Sequence, residues 1–268
     1  MQIISDMLQY QFMQNAALAL ILIAPIFGLI GTIVVNNKMS FFSDALGHSA
    51  LTGVAIGAII GLTNYSISMV LFAVIFALIL NFIKSKNIVS TDTIISVMSS
   101  TSIALGLALL SNFGGMSKYQ AYLVGDILSI TKTEILILLA VLISTFILFV
   151  FIYNKLIAIN TSKALAKLKN INTHLIDNIF VVIVAIIVTF TIKAIGILII
   201  NALLILPAAI SRNVSCNMRQ YTWVAILSSV VASMLGLILS FAYNIPTGPM
   251  IVIVAAVMYV LSLIFKSK

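Results

Sequence analysis

The chain has 268 residues, of which 62% are hydrophobic and 7% charged, and its formal net charge is +8. Its apolar residues come in long runs instead of at the periodic spacing of an amphipathic helix, which excludes an ordinary soluble domain. Cys216 is the one cysteine, so an intramolecular disulfide and any multi-cysteine metal site are excluded. These features predict an all-α polytopic membrane protein whose metal chemistry, where present, uses oxygen and imidazole ligands.

A membrane span needs about 20 apolar residues to cross about 30 Å of hydrocarbon. Runs of that length predict spans at 15–35, 41–62, 65–83, 91–111, 135–153, 221–243 and 249–265. The run 175–211 is too long for one span and is divided at Lys193. About nine transmembrane helices are therefore expected, with eight as the alternative, in one membrane domain that covers residues 1–268. The first run lacks a basic leader and is too long for a signal peptide, so we expect the N-terminus to stay in the mature chain.

The basic residues predict the orientation of the chain. With the N-terminus outside, every lysine and arginine except Lys118, Lys132 and Lys193 falls on the cytoplasmic side. Cytoplasmic loops of membrane proteins carry such an excess. We therefore expect an external N-terminus and, with nine spans, a cytoplasmic C-terminus. The positive net charge then reflects topology before it reflects nucleic-acid binding.

The stretch SFFSDALGHSALTGVAIGAIIG, residues 40–61, carries Asp44 and His48 into an apolar helix. Residues four apart share one helix face, close enough for one ion to touch both side chains, and a borderline-soft divalent ion accepts both ligand types. Ionisable groups within a span cost about 2.5–3.5 kcal/mol on insertion scales and usually face the bundle interior. In the alternative interpretation, Asp44 only stabilises the positive end of the helix and His48 bonds to a neighbour. The residue types alone leave both interpretations open.

Two other carboxylates have weaker signals. Asp126, in YLVGDILS, lies near the predicted outer face, where it either meets the incoming ion or is an ordinary turn residue. Asp92 is expected to cap the helix that it opens.

The longest predicted cytoplasmic connection, residues 154–178, contains a short helix of its own. Thr161 or Ser162 suits its N-cap, and Asn170 suits a left-handed C-cap. One face of this helix is apolar, formed by Ala164, Leu165, Leu168 and Ile171, with Lys163, Lys167 and Lys169 off it. The helix either lies on the anionic inner leaflet or binds in the groove of a partner protein.

Five segments, in order along the chain, resemble the membrane permease of bacterial metal-ion ABC importers, the branch that carries zinc, manganese or iron. They read NNKMSFFSDALGHSALTGVAIG, STDTIISVMSSTSIALGLALLS, QAYLVGDILSITKTE, KAIGILIINALLILPAAISR and YNIPTGPMIVI. The resemblance covers nearly the whole chain. The chain departs from the family pattern at Gly47, where the family usually has Ser, and at Asn170, where it usually has Gly; neither change removes an expected ligand.

The resemblance implies a fold similar to the vitamin B12 and siderophore permeases without their first helix, in the bacterial cytoplasmic membrane. It implies a non-catalytic permease that works with a separate ATPase in two copies, a second permease copy and an extracytoplasmic metal-binding protein. The expected metal contacts are Asp44 and His48, with Asp126 as a secondary candidate. The expected ATPase-coupling residues are Ser162, Lys163, Ala164, Leu165, Leu168, Asn170 and Ile171. No GxxxxGK[ST] phosphate loop occurs in the chain, so we expect ATP to bind another subunit.

Zinc is the expected ion, because QAYLVGDIL and KAIGILIINALLILPAA are more similar to the zinc permeases; manganese and iron are the alternatives. A competing function is a secondary, ion-coupled carrier that uses Asp44 and His48 as a proton relay and needs no ATPase. An intramembrane metalloprotease would need HExxH, which neither His48 nor His174 forms.

Overall fold

A computed structural model describes residues 6–7, 9–62, 65–86, 89–113, 125 and 127–265. Nine α-helices are delimited in these ranges, and no β-strand occurs in them. The helices are α1 (Gln11–Asn36), α2 (Phe42–Ile59), α3 (Tyr65–Ser85), α4 (Thr91–Phe113), α5 (Lys132–Thr161), α6 (Lys163–Leu168), α7 (Thr173–Val214), α8 (Met218–Tyr243) and α9 (Thr247–Ile264), with a 3-10 turn at Ile127–Ser129. The predicted all-α fold is confirmed.

Eight segments in the described ranges are long and apolar enough to cross a membrane. They are α1, α3, α4, α5, α8, α9 and the two parts of α7, Thr173–Ile192 (α7a) and Ile195–Val214 (α7b). Helix α2 has 18 residues, as many as α9, but it carries Asp44 and His48 and is not among the eight. The eight segments and α2 together correspond to the nine predicted spans.

Helix α7 is broken where the sequence predicted a division. Its 42 residues amount to about 63 Å of helix, twice the thickness of the hydrocarbon. Gly196 interrupts it with φ 80° and ψ 162°, a conformation that side-chain-bearing residues avoid. The break lies just after Lys193, the residue at which the sequence divided the run.

The chain divides into two compact units. Unit 1 comprises residues 1–35, 123–142 and 191–268, and unit 2 comprises residues 36–122 and 143–190. Helices α5 and α7 each begin in one unit and end in the other, whereas α2, α3 and α4 belong entirely to unit 2.

Close helix packing in unit 1 depends on glycines. A Cβ atom at Gly28 of α1 would lie 2.7 Å from the carbonyl oxygen of Ala225 in α8. One at Gly236 of α8 would lie 2.6 Å from the Cα atom of Ile251 in α9. Lipid gives helices no hydrophobic reason to associate, so small residues that let backbones approach are what stabilise such crossings.

In unit 2, α2 packs against both α3 and α4. A Cβ atom at Gly53 would lie 2.8 Å from the Cα atom of Met69 in α3, and one at Gly106 of α4 would lie 2.9 Å from Oγ1 of Thr52. Asn81 of α3 donates a 2.7 Å hydrogen bond to the side chain of Asn178 in α7a. The two glycine contacts bury α2, the helix that carries the candidate ligands, and the asparagine pair joins α3 to α7a.

Two helices of unit 2 end in the same way. Gly61 follows α2 with φ 77°, and the Leu62 amide donates to the Gly57 carbonyl at 3.0 Å. Asn170 follows α6 with φ 55°, and the Ile171 amide donates to the Ala166 carbonyl at 3.0 Å. Both are Schellman motifs, so the predicted left-handed cap at Asn170 is confirmed.

Candidate metal-ion site

The site is built on the first two turns of α2. The helix begins at Phe42, and no side chain caps it at Phe41. Asp44 lies in the first turn, where its negative charge also interacts favourably with the uncapped backbone amides. His48 follows one turn later on the same face.

Asp44 and His48 stand at the separation of two ligands on one ion. The Asp44 Oδ2 and His48 Nε2 atoms are 3.5 Å apart. Two ligands of a tetrahedral zinc ion, bonded at about 2.0–2.1 Å, lie about 3.4 Å from each other. An ion can therefore bridge the two side chains without a change in the helix. Without an ion, the contact is a salt bridge only when His48 is protonated.

The hydrogen bonding of the second ring nitrogen of His48, Nδ1, affects how strongly the side chain would bind a metal ion. His48 Nδ1 is buried and has no hydrogen-bond partner among the described residues. A metal-ligating histidine normally donates this N–H to an acceptor, which raises the basicity of the ligand. His48 lacks that support, so it is suited to a site that holds an ion weakly. In the alternative interpretation a neighbour satisfies His48; Asp44 is such a neighbour for Nε2, at 3.5 Å, but none of the described residues satisfies Nδ1.

A cavity of about 480 Å³ within unit 2 opens beside the pair. One wall is the start of α2, with Phe41 before it, and the other wall is α4. The α4 residues that line it are Asp92, Ile95, Ser96, Ser99, Ser100 and Ile103. The Asp44 side chain is 42% exposed and that of His48 is 18% exposed, so both can be reached from the cavity.

The prediction that Asp92 caps α4 is wrong. Ser90 takes that role, because its Oγ accepts a hydrogen bond from the Thr93 amide at 3.3 Å and lies 2.8 Å from Thr93 Oγ1. Asp92 instead lines the cavity. Sequence reasoning also missed the serines of α4, listed above with Asp92. Their signal was present in the sequence: Asp92, Ser96, Ser99 and Ser100 recur at helical spacing on one face.

One chain supplies too few ligands for a tight metal site. Among the described residues, no three His, Cys, Asp or Glu side chains come together around one point. Structural zinc sites usually have four protein ligands and catalytic sites three. The Asp44–His48 pair therefore offers two ligands to an ion, fewer than a tight metal site has.

The other histidine, His174, lies in a different cavity of unit 2, of about 700 Å³. Asp177 lines this cavity too, but so do Lys38 and Lys84. Two lysine charges oppose the entry of a cation. The surroundings of His48 therefore favour metal contact more than those of His174.

The predicted loop helix is present as α6, and the Ser162 carbonyl accepts from the Ala166 amide at 3.0 Å where α6 begins. Leu168 is 79% exposed. On the same predicted face, Ala164 is exposed and Ile171 half-buried. The side chains of Lys163 and Leu165 lie outside the described set. Helix α6 thus presents an unburied apolar residue to whatever lies next to it.

Asp126 lies outside the described residues, but its neighbour Gly125 is placed. Gly125 has φ 65°, and a Cβ atom there would overlap the backbone of Ile195 and Gly196. Two of the five family-like segments, QAYLVGDILSITKTE and KAIGILIINALLILPAAISR, therefore meet glycine to glycine in unit 1.

Comparison with known proteins gives consistent matches over the whole chain. A profile of the ABC 3 transport family matches residues 9–266. The zinc uptake membrane protein ZnuB of Haemophilus influenzae is 30% identical over 97% of this chain and 99% of its own length. The manganese transport membrane protein MntC of Listeria innocua is 24% identical over 100% of this chain and 95% of its own. The solved structure of PsaBC from Streptococcus pneumoniae superimposes with a TM-score of 0.83 at 26% identity, over 97% of this chain and 94% of that one.

Proposed function

Because the chain belongs to the ABC 3 transport family, we propose that it is the permease subunit of an importer that moves a divalent transition-metal ion into the cell. The ion that we favour is zinc. The zinc relative has the higher identity, 30% against 24% for the manganese relative. Manganese and iron are the alternative ions. ATP is bound and hydrolysed by a separate subunit, and the permease does no covalent chemistry.

Asp44 and His48 are the ligands that the ion meets in transit. The observation that carries this assignment is the 3.5 Å separation of Asp44 Oδ2 and His48 Nε2 beside an open cavity. Two copies of the permease, meeting on an axis, bring two aspartates and two histidines to the path. Four ligands that belong to two moving subunits can be assembled and separated, which lets the ion bind and then leave.

The segment 154–178 is the loop that couples the permease to its ATPase, and α6 is the part that binds. The exposed Leu168 supports this role, because an apolar side chain that is 79% exposed at the end of a helix suits burial in a partner's groove. A binding protein delivers the ion on the outer side. Closure of two ATPase copies then changes the arrangement of the two permease copies and releases the ion inside.

Ion uptake into proteoliposomes tests the assignment. The transporter is isolated from its host membranes through a tag on the permease, with the subunits that bind it, and uptake of radiolabelled Zn²⁺ and Mn²⁺ is measured with ATP inside and outside the vesicles. Asp44→Asn and His48→Ala should each lower uptake per assembled complex by about tenfold or more, since the first removes the negative charge of the pair and the second removes one of its two ligands.

Glu134→Gln is the matched control. Glu134 is also a carboxylate in the first turn of a helix, where its Oε2 accepts from the Thr131 amide at 3.1 Å, but it does not line the cavity. Its variant should transport at the wild-type rate per complex. Normal uptake by both site variants would sink the ligand assignment. An ATP-independent uptake by the wild type would instead support an ion-coupled carrier.

A further inference from the structure

Helices α2 and α4 run parallel, and one contact sets their register. Thr52 of α2 bonds to Ser102 of α4, fifty residues later. At 1.5 Å per residue, this register brings Asp92 about 3 Å below the level of Asp44 and His48 about 6 Å above it. The three side chains therefore follow one another along a single direction, toward the end at which both helices begin.

The serine hydroxyls on the cavity wall have no protein partner. Within the described part of the chain, no hydrogen bond is made by the side chains of Ser96, Ser99 or Ser100. Serine and threonine in helices normally donate to a carbonyl one turn earlier, as Thr101 does to Val97 at 2.8 Å. Polar groups without partners are costly in hydrocarbon. This face of α4 is therefore suited to water and to ions.

Asp92 has no structural task that the described residues reveal. Ser90 caps the helix in its place. No described residue forms a hydrogen bond or ion pair with the Asp92 carboxylate, which is exposed at one end of the serine face. An ionisable group that lines a path inside a membrane protein, without a structural partner, is by default a functional group.

We propose that α4 is the second wall of the ion path and that Asp92 takes the ion from the Asp44–His48 pair. In the register set by Thr52 and Ser102, Ser99 and Ser100 solvate the ion just above the pair and Ser96 solvates it beside the pair. This inference rests on the proposed function and adds its next step. Asp92 acts after the pair instead of with it, because no described group of three such ligands surrounds one point. One carboxylate with hydroxyls binds a divalent ion more weakly than the pair does, so the ion passes on toward the end where α2 and α4 begin.

The uptake assay described above tests Asp92 directly. Asp92→Asn should lower the maximal uptake rate of Zn²⁺ and Mn²⁺ per complex by about tenfold, with little change in the half-saturating concentration, because Asp92 acts after the ion has entered. Asp92→Glu should restore most of the rate. The double variant Ser96→Val and Ser100→Val should also slow uptake, since it replaces two hydroxyls of the cavity wall with apolar side chains. Thr101→Val is the matched control on the same helix, off the cavity, and should transport normally.

A second measurement does not depend on transport. In a Cys216→Ser background, Ser96→Cys and Ser100→Cys should react with a small water-soluble thiol reagent, and excess Zn²⁺ should slow that reaction. Thr101→Cys should show no such protection.

The outcomes separate the two proposals. Wild-type complex that takes up neither Zn²⁺ nor Mn²⁺ overturns the proposed function. Loss of uptake in Asp44→Asn, together with wild-type rates in Asp92→Asn and the serine double variant and no protection of the thiols by Zn²⁺, overturns this inference alone. A slowed Asp92→Asn with protected thiols supports it.

Discussion

The Thr52 hydroxyl donates a hydrogen bond of 2.6 Å to the carbonyl of Ser102 and lies 3.0 Å from the Ser102 hydroxyl. Both residues are buried, at 1% and 4% exposure. Gly106, one turn further along α4, packs against the same threonine. This contact holds the helix that carries the candidate ligands beside the helix that carries the serines.

Thr52→Val should destabilise unit 2. Valine has nearly the shape of threonine but cannot donate, so the change removes the bond to α4 and leaves the packing. Hydrogen bonds between helices in membranes are worth about 0.6 kcal/mol on average and up to about 1.7 kcal/mol. We expect a loss within that range in the free energy of unfolding, measured in mixed detergent micelles. Thr101→Val, whose hydroxyl bonds only within its own helix, should be the more stable variant; the opposite order would contradict the role of Thr52.

The helices were predictable because each apolar run has polar residues at its ends. The division of the long run after α6 was also found, although for an indirect reason. Hydropathy responds to the charge of Lys193, whereas the break itself is the left-handed backbone of Gly196. A glycine among isoleucines carries no hydropathy signal, so sequence reasoning located the division without its cause.

The site was predictable only as far as it is local. Asp44 and His48 lie one turn apart on one helix, so helical geometry alone brings them together, and their separation of 3.5 Å agrees with that expectation. The other wall of the cavity depends on the register of α2 and α4, which residues fifty positions apart determine. The predicted cap of α4 was wrong for another reason. Ser90 and Asp92 are both good capping residues, and the sequence does not say at which one the helix begins.

Labelling of single cysteines tests the orientation that the lysines predict. In a Cys216→Ser background, Ile245→Cys lies between α8 and α9 at a position that is 39% exposed, and Lys169→Cys lies on the exposed surface just after α6. An impermeant thiol reagent should label Ile245→Cys in intact spheroplasts and Lys169→Cys only after permeabilisation, because basic loops stay in the cytoplasm. The reverse pattern would overturn the external N-terminus.

Leu168→Asp tests whether α6 binds the ATPase. If Leu168 is buried in a groove of the ATPase, a buried unpaired carboxylate costs several kcal/mol and should abolish co-purification of the ATPase with the tagged permease. Membrane insertion of the permease should be unchanged, since Leu168 is 79% exposed and contributes little to the stability of the permease.

Lys169→Glu is the companion variant, because it adds negative charge next to the apolar face without touching it. A helix that only lies on the anionic leaflet loses about 1 kcal/mol of attraction for each basic residue removed. Both Lys169→Glu and Leu168→Asp should then weaken the binding of the helix to the membrane. If the helix binds in a groove of the ATPase, co-purification of the ATPase should be lost chiefly in Leu168→Asp. Retained co-purification and uptake in Leu168→Asp would exclude the coupling role.

Gly125 and Gly61 form a matched pair that tests the backbone contact between the two family-like segments of unit 1. Both have positive φ, 65° and 77°, so alanine at either position bears the left-handed strain of about 1–2 kcal/mol. A Cβ atom at Gly61 meets nothing within 4 Å, whereas one at Gly125 overlaps the backbone of Ile195 and Gly196. Backbone cannot rotate away as a side chain can, so Gly125→Ala should lose a further 1–3 kcal/mol or so of unfolding free energy. The free energies of unfolding of the two detergent-purified variants are measured side by side. Equal losses of this free energy would mean that the segment around Gly125 does not touch the break in α7.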